Sequence, residues 1–384
     1  MAAKPRRIDL AIVGAGPVGA TLAALAAGPG LAIELFEARP GPSGEARVLA
    51  LSHGSRDLLH DAGAWPGERC TPITSIHISQ KGGPGRTLLE ASEHGFPALG
   101  YTVAFRDLES ALGARLAAAN VPVRYGESCT QIALDGEGAM LAFASGREVR
   151  ARLLVLADGG ANAAKIPGIA YSEKDYGQQA LTGALRADRV HGGRAYERFT
   201  AEGPAALLPF EDHYALVWTA SPAAAKRLAA LDEAAFLAEL QDHFGDRAGR
   251  FTSIAGRATF PLRLRAVNVP VALRTAIIGN AAQSLHPIAG QGLNLGLRDA
   301  AALAATIAFA APEALGGSEM LRAYRESRRR DASRGVAFTD FLVSAFAYGG
   351  RVSALGRGLA LTALDLMPGA RRALAERMIH GAAK

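Results

Sequence analysis

Apolar and polar positions change period along the chain, and the changes mark its elements. Ile8–Val13 reads as a short buried strand, followed by Gly-Ala-Gly-Pro-Val-Gly and an alanine-rich helix to about Ala27. Leu31–Phe36 reads as a second strand, ending at Glu37. This is β-turn-α-β at the spacing of a dinucleotide fold. Ser55–Gly63 and Asp107–Asn120 have helical periodicity, and Val121–Tyr125, Ala139–Ala144 and Glu148–Ala151 read as strands. Leu153–Leu156 is an apolar strand that runs into Asp158-Gly159.

Between about residues 177 and 271 the runs become short or alternating, as in an antiparallel sheet. They are Leu181–Arg186, Arg194–Phe199, Ala205–Pro209 and Tyr214–Ala220, then a helix over Asp232–Phe244 and a strand near Thr259–Leu264. Thr275–Gly279 returns to a buried strand, and from Gly292 the pattern is mostly helical. The chain thus leaves its nucleotide domain, builds a second sheet and comes back, without internal repeats or a low-complexity linker.

Composition narrows the class. The 44 glycines among 384 residues follow no collagen-like period, so they point to tight turns and close backbone approaches. Two cysteines, Cys70 and Cys129, exclude a disulfide scaffold and a thiolate zinc cluster, and favour a reducing cytoplasm. The nine histidines show no metal-ligand spacing, so no metal is expected. The net charge of +6 is local: residues 321–384 hold 12 Lys+Arg and 5 Asp+Glu, a surplus of 7. The chain before them is nearly neutral, and no nucleic-acid module accompanies the basic end, so nucleic acid is not an expected partner. Lys4, Arg6 and Arg7 before an apolar stretch resemble a secretory leader, but Gly14, Gly16 and Gly19 inside it fit a phosphate-binding turn instead. No run reaches the ~18–20 apolar residues of a membrane span.

Three constellations carry chemistry. In the first, Gly14 permits the tight turn, Gly16 lets the backbone approach a pyrophosphate, and Gly19 lets the helix pack close on the strand. Glu37, 18 residues after Gly19, is placed to accept hydrogen bonds from the hydroxyls of an adenosine ribose. The second is LLVLADGGANAAK over 153–165, with Asp158 and Gly159 after a strand. The third is AIIGNAAQSLHPIAGQGLNLGLRD over 276–299, where Gly279 ends a strand and Asn280 follows it. There Pro287, Gly290, Gln291, Gly292 and Asn294 make a second glycine-lined helix start, able to cradle an anionic atom.

Together these motifs resemble the flavoprotein monooxygenase superfamily built on the p-hydroxybenzoate hydroxylase fold, across nearly the whole chain. Asn162 and Lys165 stand where that family usually has Ser and Arg, and Asn280 stands where it has Asp. Asn280 with Gln283 is similar to the ubiquinone-biosynthesis branch, in particular the 2-polyprenyl-6-methoxyphenol hydroxylases. The same is true of DYGQQALTG (175–183), AYERFTAEGPAALLPF (195–210), YALVW (214–218), FTDFLVSAF (338–346) and LDLMPGARRALAERMIHG (364–381).

The resemblance implies an α/β fold: a Rossmann-like FAD-binding domain, an inserted, mostly antiparallel β-sheet substrate domain, and C-terminal helices. The expected boundaries are 1–74, 100–176 and 272–325 for FAD, 75–99 and 177–271 for substrate, and 326–384 for the helices. It implies that Arg47 and Arg106 contact FAD, and that His286 and Pro287 lie at the flavin face. It implies NAD(P)H as co-substrate, O₂, a flavin C4a-hydroperoxide and a polyprenylated phenol. Peripheral contact with the inner membrane and a quinone-biosynthesis complex are further expectations. Two other readings stay open: a hydroxylase of another aromatic, and a weakly active flavoprotein scaffold. Tyr176 and Tyr196 could reach a phenol or simply pack the sheet, Trp218 reads as core, and no base for the phenol is evident.

Overall fold

The computed structural model describes residues 5–28, 30–81, 85–200, 203–284 and 291–329, then 358, 362, 365 and 367–380. β1 (Arg6–Val13) runs through the glycine turn into α1 (Pro17–Ala26) and back along β2 (Ile33–Glu37). β3 (Val48–Ser52), α2 (His53–Asp61), β4 (Thr71–Ile73), β5 (Ser75–Gln80), β6 (Arg86–Glu90) and β7 (Gly100–Ala104) follow. Next come α3 (Phe105–Ala118), β8 (Val123–Tyr125), β9 (Cys129–Leu134), β10 (Ala139–Phe143) and β11 (Glu148–Leu156). β12 (Tyr171–Ala187), β13 (Arg194–Thr200), β14 (Gly203–Phe210) and β15 (His213–Ala220) lead into α4 (Pro222–Ala230) and α5 (Glu233–Phe244). β16 (Phe251–Val267), β17 (Val271–Ala272), β18 (Thr275–Ile277) and β19 (Gln283–Ser284) precede α6 (Gln291–Phe309). Further helices cover 318–329 and Pro368–His380.

The first sheet has the order β17-β18-β11-β1-β2-β8, with β10 and β9 attached beside β11. β18, β11, β1, β2 and β8 are parallel, which places the ends of β1, β2, β11 and β18 on one edge. Leu10, Ile12, Leu35, Leu153 and Val155 are buried in a core shared with Leu22 of α1 and Leu303 of α6. A strand buried on both faces is expected to read as a continuous apolar run, and these do.

The second sheet has the order β19-β16-β12-β15-β14-β13-β5-β6. Its pairs are antiparallel except β13 with β5, which run parallel. Ala205, Leu207, Leu216, Trp218, Leu181 and Leu185 pack on Leu228, Phe236 and Leu240 of α4 and α5. The alternate positions on the other face, among them Leu208, Val217, Thr182 and Ile78, are only half-buried. Through Ile76 and Leu208 that face meets Asn294 at the start of α6. Trp218 is core, and Tyr196 packs at its edge with its hydroxyl donated to the Arg247 carbonyl.

Three local readings are corrected. Glu148–Ala151 and Leu153–Leu156 are one strand, because β1 pairs continuously along both from Val149 to Leu156. The strand near Thr259–Leu264 extends over 17 residues, since β12 pairs along it through three register shifts. Val48–Ser52 and Gly100–Ala104 escaped notice as strands; with Thr71–Ile73 they form a small third sheet.

Candidate active site

Everything the first motif requires lies at the carboxyl edge of the parallel sheet. The Gly14 N–H donates to the Phe36 carbonyl at 2.8 Å, and the Ala157 N–H donates to the Val13 carbonyl at 2.8 Å. The turns after β1, β2 and β11 are therefore laced together. Gly14 has φ +104°, and a Cβ there would lie 2.5 Å from the Ala157 oxygen. A Cβ on Gly19 would meet the Gly14 carbonyl, Ala157 and Ile12, so the helix can approach the strand only through glycine. Gly16 differs: a Cβ there meets nothing within 4 Å. Gly16 is the N-cap of α1, and among the described residues no side chain caps the helix. Uncapped helix N–H groups over an open glycine fit the pyrophosphate of a dinucleotide.

Glu37 sits at the end of β2, 8% exposed. Its Oε2 accepts the Ala15 N–H at 2.9 Å, and its Oε1 accepts from the Arg39 backbone N–H and side-chain Nε. Burial raises its pKa, but the Arg39 hydrogen bonds and the Ala15 amide outweigh that and hold the carboxyl below its ordinary value. Arg39 Nη2 also donates to Oε2 at 3.3 Å, so the carboxylate stays charged and ties the glycine turn to the end of β2 with two donors on each oxygen. Glu109 on α3, buried and overlooked in the sequence, accepts from Arg39 Nη1 at 3.0 Å and from the Ser43 N–H at 2.9 Å. The Arg47 carbonyl accepts the Phe105 N–H and the Glu45 carbonyl accepts the Arg106 N–H. This brings Arg47 and Arg106 together on one rim, both with exposed side chains, Arg47 stacked 5.4 Å from the Phe105 ring.

The departures in the second motif form a local network. Asp158 accepts the Gly160 N–H, the Asn162 N–H and, at 2.6 Å, Asn162 Nδ2. Lys165 Nζ donates to Asn162 Oδ1 at 2.7 Å and to the Cys129 and Thr130 carbonyls. Asn162 and Lys165 therefore fit one another, and Gly159 is left exposed with φ +70° and open space at its Cβ position.

The third motif is organised by Asp299, which sequence reasoning passed over. It is 2% exposed and accepts the Gly279 N–H at 3.1 Å, Gln283 Nε2 at 2.8 Å and Arg328 Nε at 2.8 Å. Burial pushes its pKa up against the pull of Arg328. Gly279 and Gly296 both close on Val18 of α1, where a Cβ would come within 3.0 and 2.7 Å of its methyls. Asn280 is exposed beside Gly279. Asn294 is buried; its Oδ1 accepts the Ser52 N–H at 2.8 Å and its Nδ2 donates to the Ala50 carbonyl at 3.1 Å. The start of α6 is thus pinned to β3, and a Cβ on Gly292 would meet nothing within 4 Å. His286, Pro287 and Gly290, and the side chain of Gln291, lie outside the described residues.

Elsewhere, burial pushes the Cys70 thiol up to about 12 and Cys129 to about 11, so both stay protonated and unreactive at neutral pH. Glu211, Asp212 and His213 gather on the exposed turn between β14 and β15, with Asp212 engaged by Arg186.

An open parallel sheet with a glycine-lined helix start at its carboxyl edge, bearing no side-chain cap, is the arrangement that receives a dinucleotide. Residues 7–339 match the FAD binding domain family, and the chain belongs to that family. It is an FAD-dependent monooxygenase with the p-hydroxybenzoate hydroxylase fold. The p-nitrophenol 4-monooxygenase PnpA of Pseudomonas putida superposes with a TM-score of 0.79 at 16% identity, covering 97% of this chain and 99% of its own. The chain is 34% identical to ubiquinone hydroxylase UbiL of Rhodospirillum rubrum, covering 94% of this chain and 86% of that one. It is 33% identical to 3-demethoxyubiquinol 3-hydroxylase of Escherichia coli, covering 84% of this chain and 86% of that one.

Proposed function

We propose that this protein hydroxylates a polyprenylated phenol in ubiquinone biosynthesis, using NAD(P)H and O₂. The observation that carries the reading is the half-buried apolar face of the second sheet, turned toward the start of α6. The similarity to two ubiquinone hydroxylases supports it. Bound FAD would supply the redox chemistry, accepting hydride from NAD(P)H and activating O₂ for transfer of one oxygen atom. The protein's part is positional. Gly14, Gly16, Gly19, Glu37, Arg47 and Arg106 would hold the adenosine diphosphate half; Asp158, Gly159, Gly279, Asn280, Gly290, Gln291, Gly292 and Asn294 would hold the flavin half. The apolar face would exclude water and align the ring. His286 and Pro287 remain proposed for the flavin face. The proposed division is an FAD domain over 1–74, 100–176 and 272–325, a substrate domain over 75–99 and 177–271, and a C-terminal helical region.

With labelled O₂ and a prenylated methoxyphenol, one labelled oxygen is expected in the product for each product molecule formed. Label arriving from water, or NAD(P)H oxidation indifferent to any phenol, would refute the reading.

Among the described residues no helix is long and apolar enough to cross a membrane. We infer peripheral docking on the inner membrane through residues 351–380, of which 351–357, 359–361, 363–364 and 366 lie outside the described residues. Arg371 pairs with Glu93 and Arg372 with Glu376, while Leu374 packs beside Leu89, Ala91 and Leu99. Leu374 is therefore assigned to internal packing, leaving the arginines as the docking element. Exposed pairs of this kind hold at most ~1 kcal/mol, so they compete weakly with an anionic leaflet. Charge reversal at Arg371, Arg372 and Arg377 is expected to abolish sedimentation with anionic vesicles at unchanged FAD content. Equal sedimentation by the variant, or none by the parent at low salt, would return the segment to plain packing.

A further inference from the structure

A small cavity of about 80 Å³ lies where β3, β4, β5, β7, β13 and β14 meet the start of α6. Its wall is apolar or uncharged, from Leu51, Ile73, Ile76, Leu99 and Leu208 to the pinned amide of Asn294. One carboxylate interrupts it. Glu197 follows Tyr196 on β13, so the two point to opposite faces of the sheet. The Tyr196 ring and hydroxyl belong to the α5 side, through Phe244 and the Arg247 carbonyl. Glu197 belongs to the side of Leu208 and Asn294.

Among the described residues the Glu197 carboxylate meets no hydrogen-bond donor and no cation. The charged and titratable neighbours on the adjoining strands are all turned away. His77 of β5 stacks on Tyr196, 5.7 Å between ring centres, and Arg198 donates to the His243 carbonyl. β14 contributes Ala206 opposite Glu197, and β3, β4, β7 and α6 contribute no charged side chain to the cavity. A carboxylate without a partner in an apolar wall carries a large desolvation cost and no internal compensation. A phenolic hydroxyl bound in the cavity would supply the donor that the described residues do not.

We infer that Glu197 takes the proton of the substrate's phenolic hydroxyl. The inference rests on the phenol hydroxylase reading above. The phenolic O–H bond breaks, its electron pair stays on oxygen, and the proton forms a new O–H bond on the Glu197 carboxylate. The ring is then richer in electrons at the ortho and para carbons, where the electrophilic oxygen is delivered. Burial pushes Glu197 up to about 7, which suits a base working near neutral pH. Sequence alone did not give this base, because nothing in Tyr-Glu-Arg-Phe says which side of the sheet the glutamate faces.

The test uses the FAD holoenzyme and a 2-methoxyphenol carrying a geranyl chain. Without NAD(P)H, the phenol's Kd is expected to tighten as pH rises through about 7, as the carboxylate that accepts its hydroxyl forms. The methyl ether of the same compound, lacking the proton, is expected to bind without that dependence. Glu197→Gln should bind the phenol with a flat profile and hydroxylate it about 100-fold or more slowly, while NAD(P)H oxidation still proceeds and loses its coupling to product. Glu197→Asp should restore part of the rate and the pH dependence. Stability gives an independent readout. A carboxyl raised from 4.5 to about 7 makes the folded chain less stable as pH rises across that window. The parent's Tm should fall there relative to Glu197→Gln. A parent Kd that ignores pH, or an identical pH dependence for phenol and ether or for parent and Glu197→Gln, overturns the inference. A parent that hydroxylates no phenol, yet shows the Kd dependence lost in Glu197→Gln, overturns the functional reading and leaves the proton acceptor standing.

Discussion

Replacing Gly16 with valine should give a folded but colourless protein. The Cβ position of Gly16 faces empty space, so the substitution displaces no protein atom. What it fills is the volume in front of the α1 N–H groups, which no side chain caps. A pyrophosphate must approach those amides directly to use their partial positive charge. An isopropyl group there should weaken FAD binding by at least ~100-fold, equivalent to about 2.8 kcal/mol. Flavin absorbance per mole of purified protein, with circular dichroism as the control for folding, measures it. Gly14→Val is the contrast: its φ of +104° and the Ala157 carbonyl 2.5 Å from the Cβ position make it a folding defect. Full FAD in a folded Gly16→Val protein would show that the phosphates lie elsewhere.

The second large effect belongs to Asp299→Ala. The carboxylate is the shared acceptor for the Gly279 turn, Gln283 and Arg328, on three separate segments. Removing it takes from Arg328, which is 6% exposed, the buried carboxylate that its Nε donates to. Breaking a buried pair from one side typically costs about 3–5 kcal/mol. The double replacement Asp299→Leu with Arg328→Met should cost less than Asp299→Ala alone, because it removes both desolvated charges together. Denaturant titration of the three proteins decides the matter. A double variant at least as unstable as Asp299→Ala would show that the pair is no coupled unit. Asp299→Ala should also loosen FAD, since it frees the turn that carries Gly279 and Asn280.

These two sites differ in how they could be found. Gly16 is legible because a phosphate-binding turn is local: strand, three spaced glycines and helix are contiguous, and each residue's part follows from backbone geometry. Asp299 stands in plain view in the third motif, yet its partners are 16 to 29 residues away and on other elements. The departures at Asn162 and Lys165 lie between these cases. As single substitutions against a family pattern they put the second motif in doubt; in space they hydrogen-bond each other and Asp158.

The sequence by itself determined the parallel sheet, its glycine turns, the acid at the end of β2 and the change of period that announces the second sheet. Each rests on short-range physics: apolar run length, the φ freedom of glycine, and helix capping. Only the tertiary structure decided which faces meet. Asn294 reaches Ser52 across 242 positions, and β13 lies parallel to β5 across 119. Strand register has a period of two, so a shift of one residue would turn Glu197 to the α5 side and Tyr196 into the cavity. No local pattern fixes that choice. It is set by the packing of Tyr196 against Tyr214 and Phe244, which commits one face of β13 to the core and leaves the other, with its carboxylate, to the site.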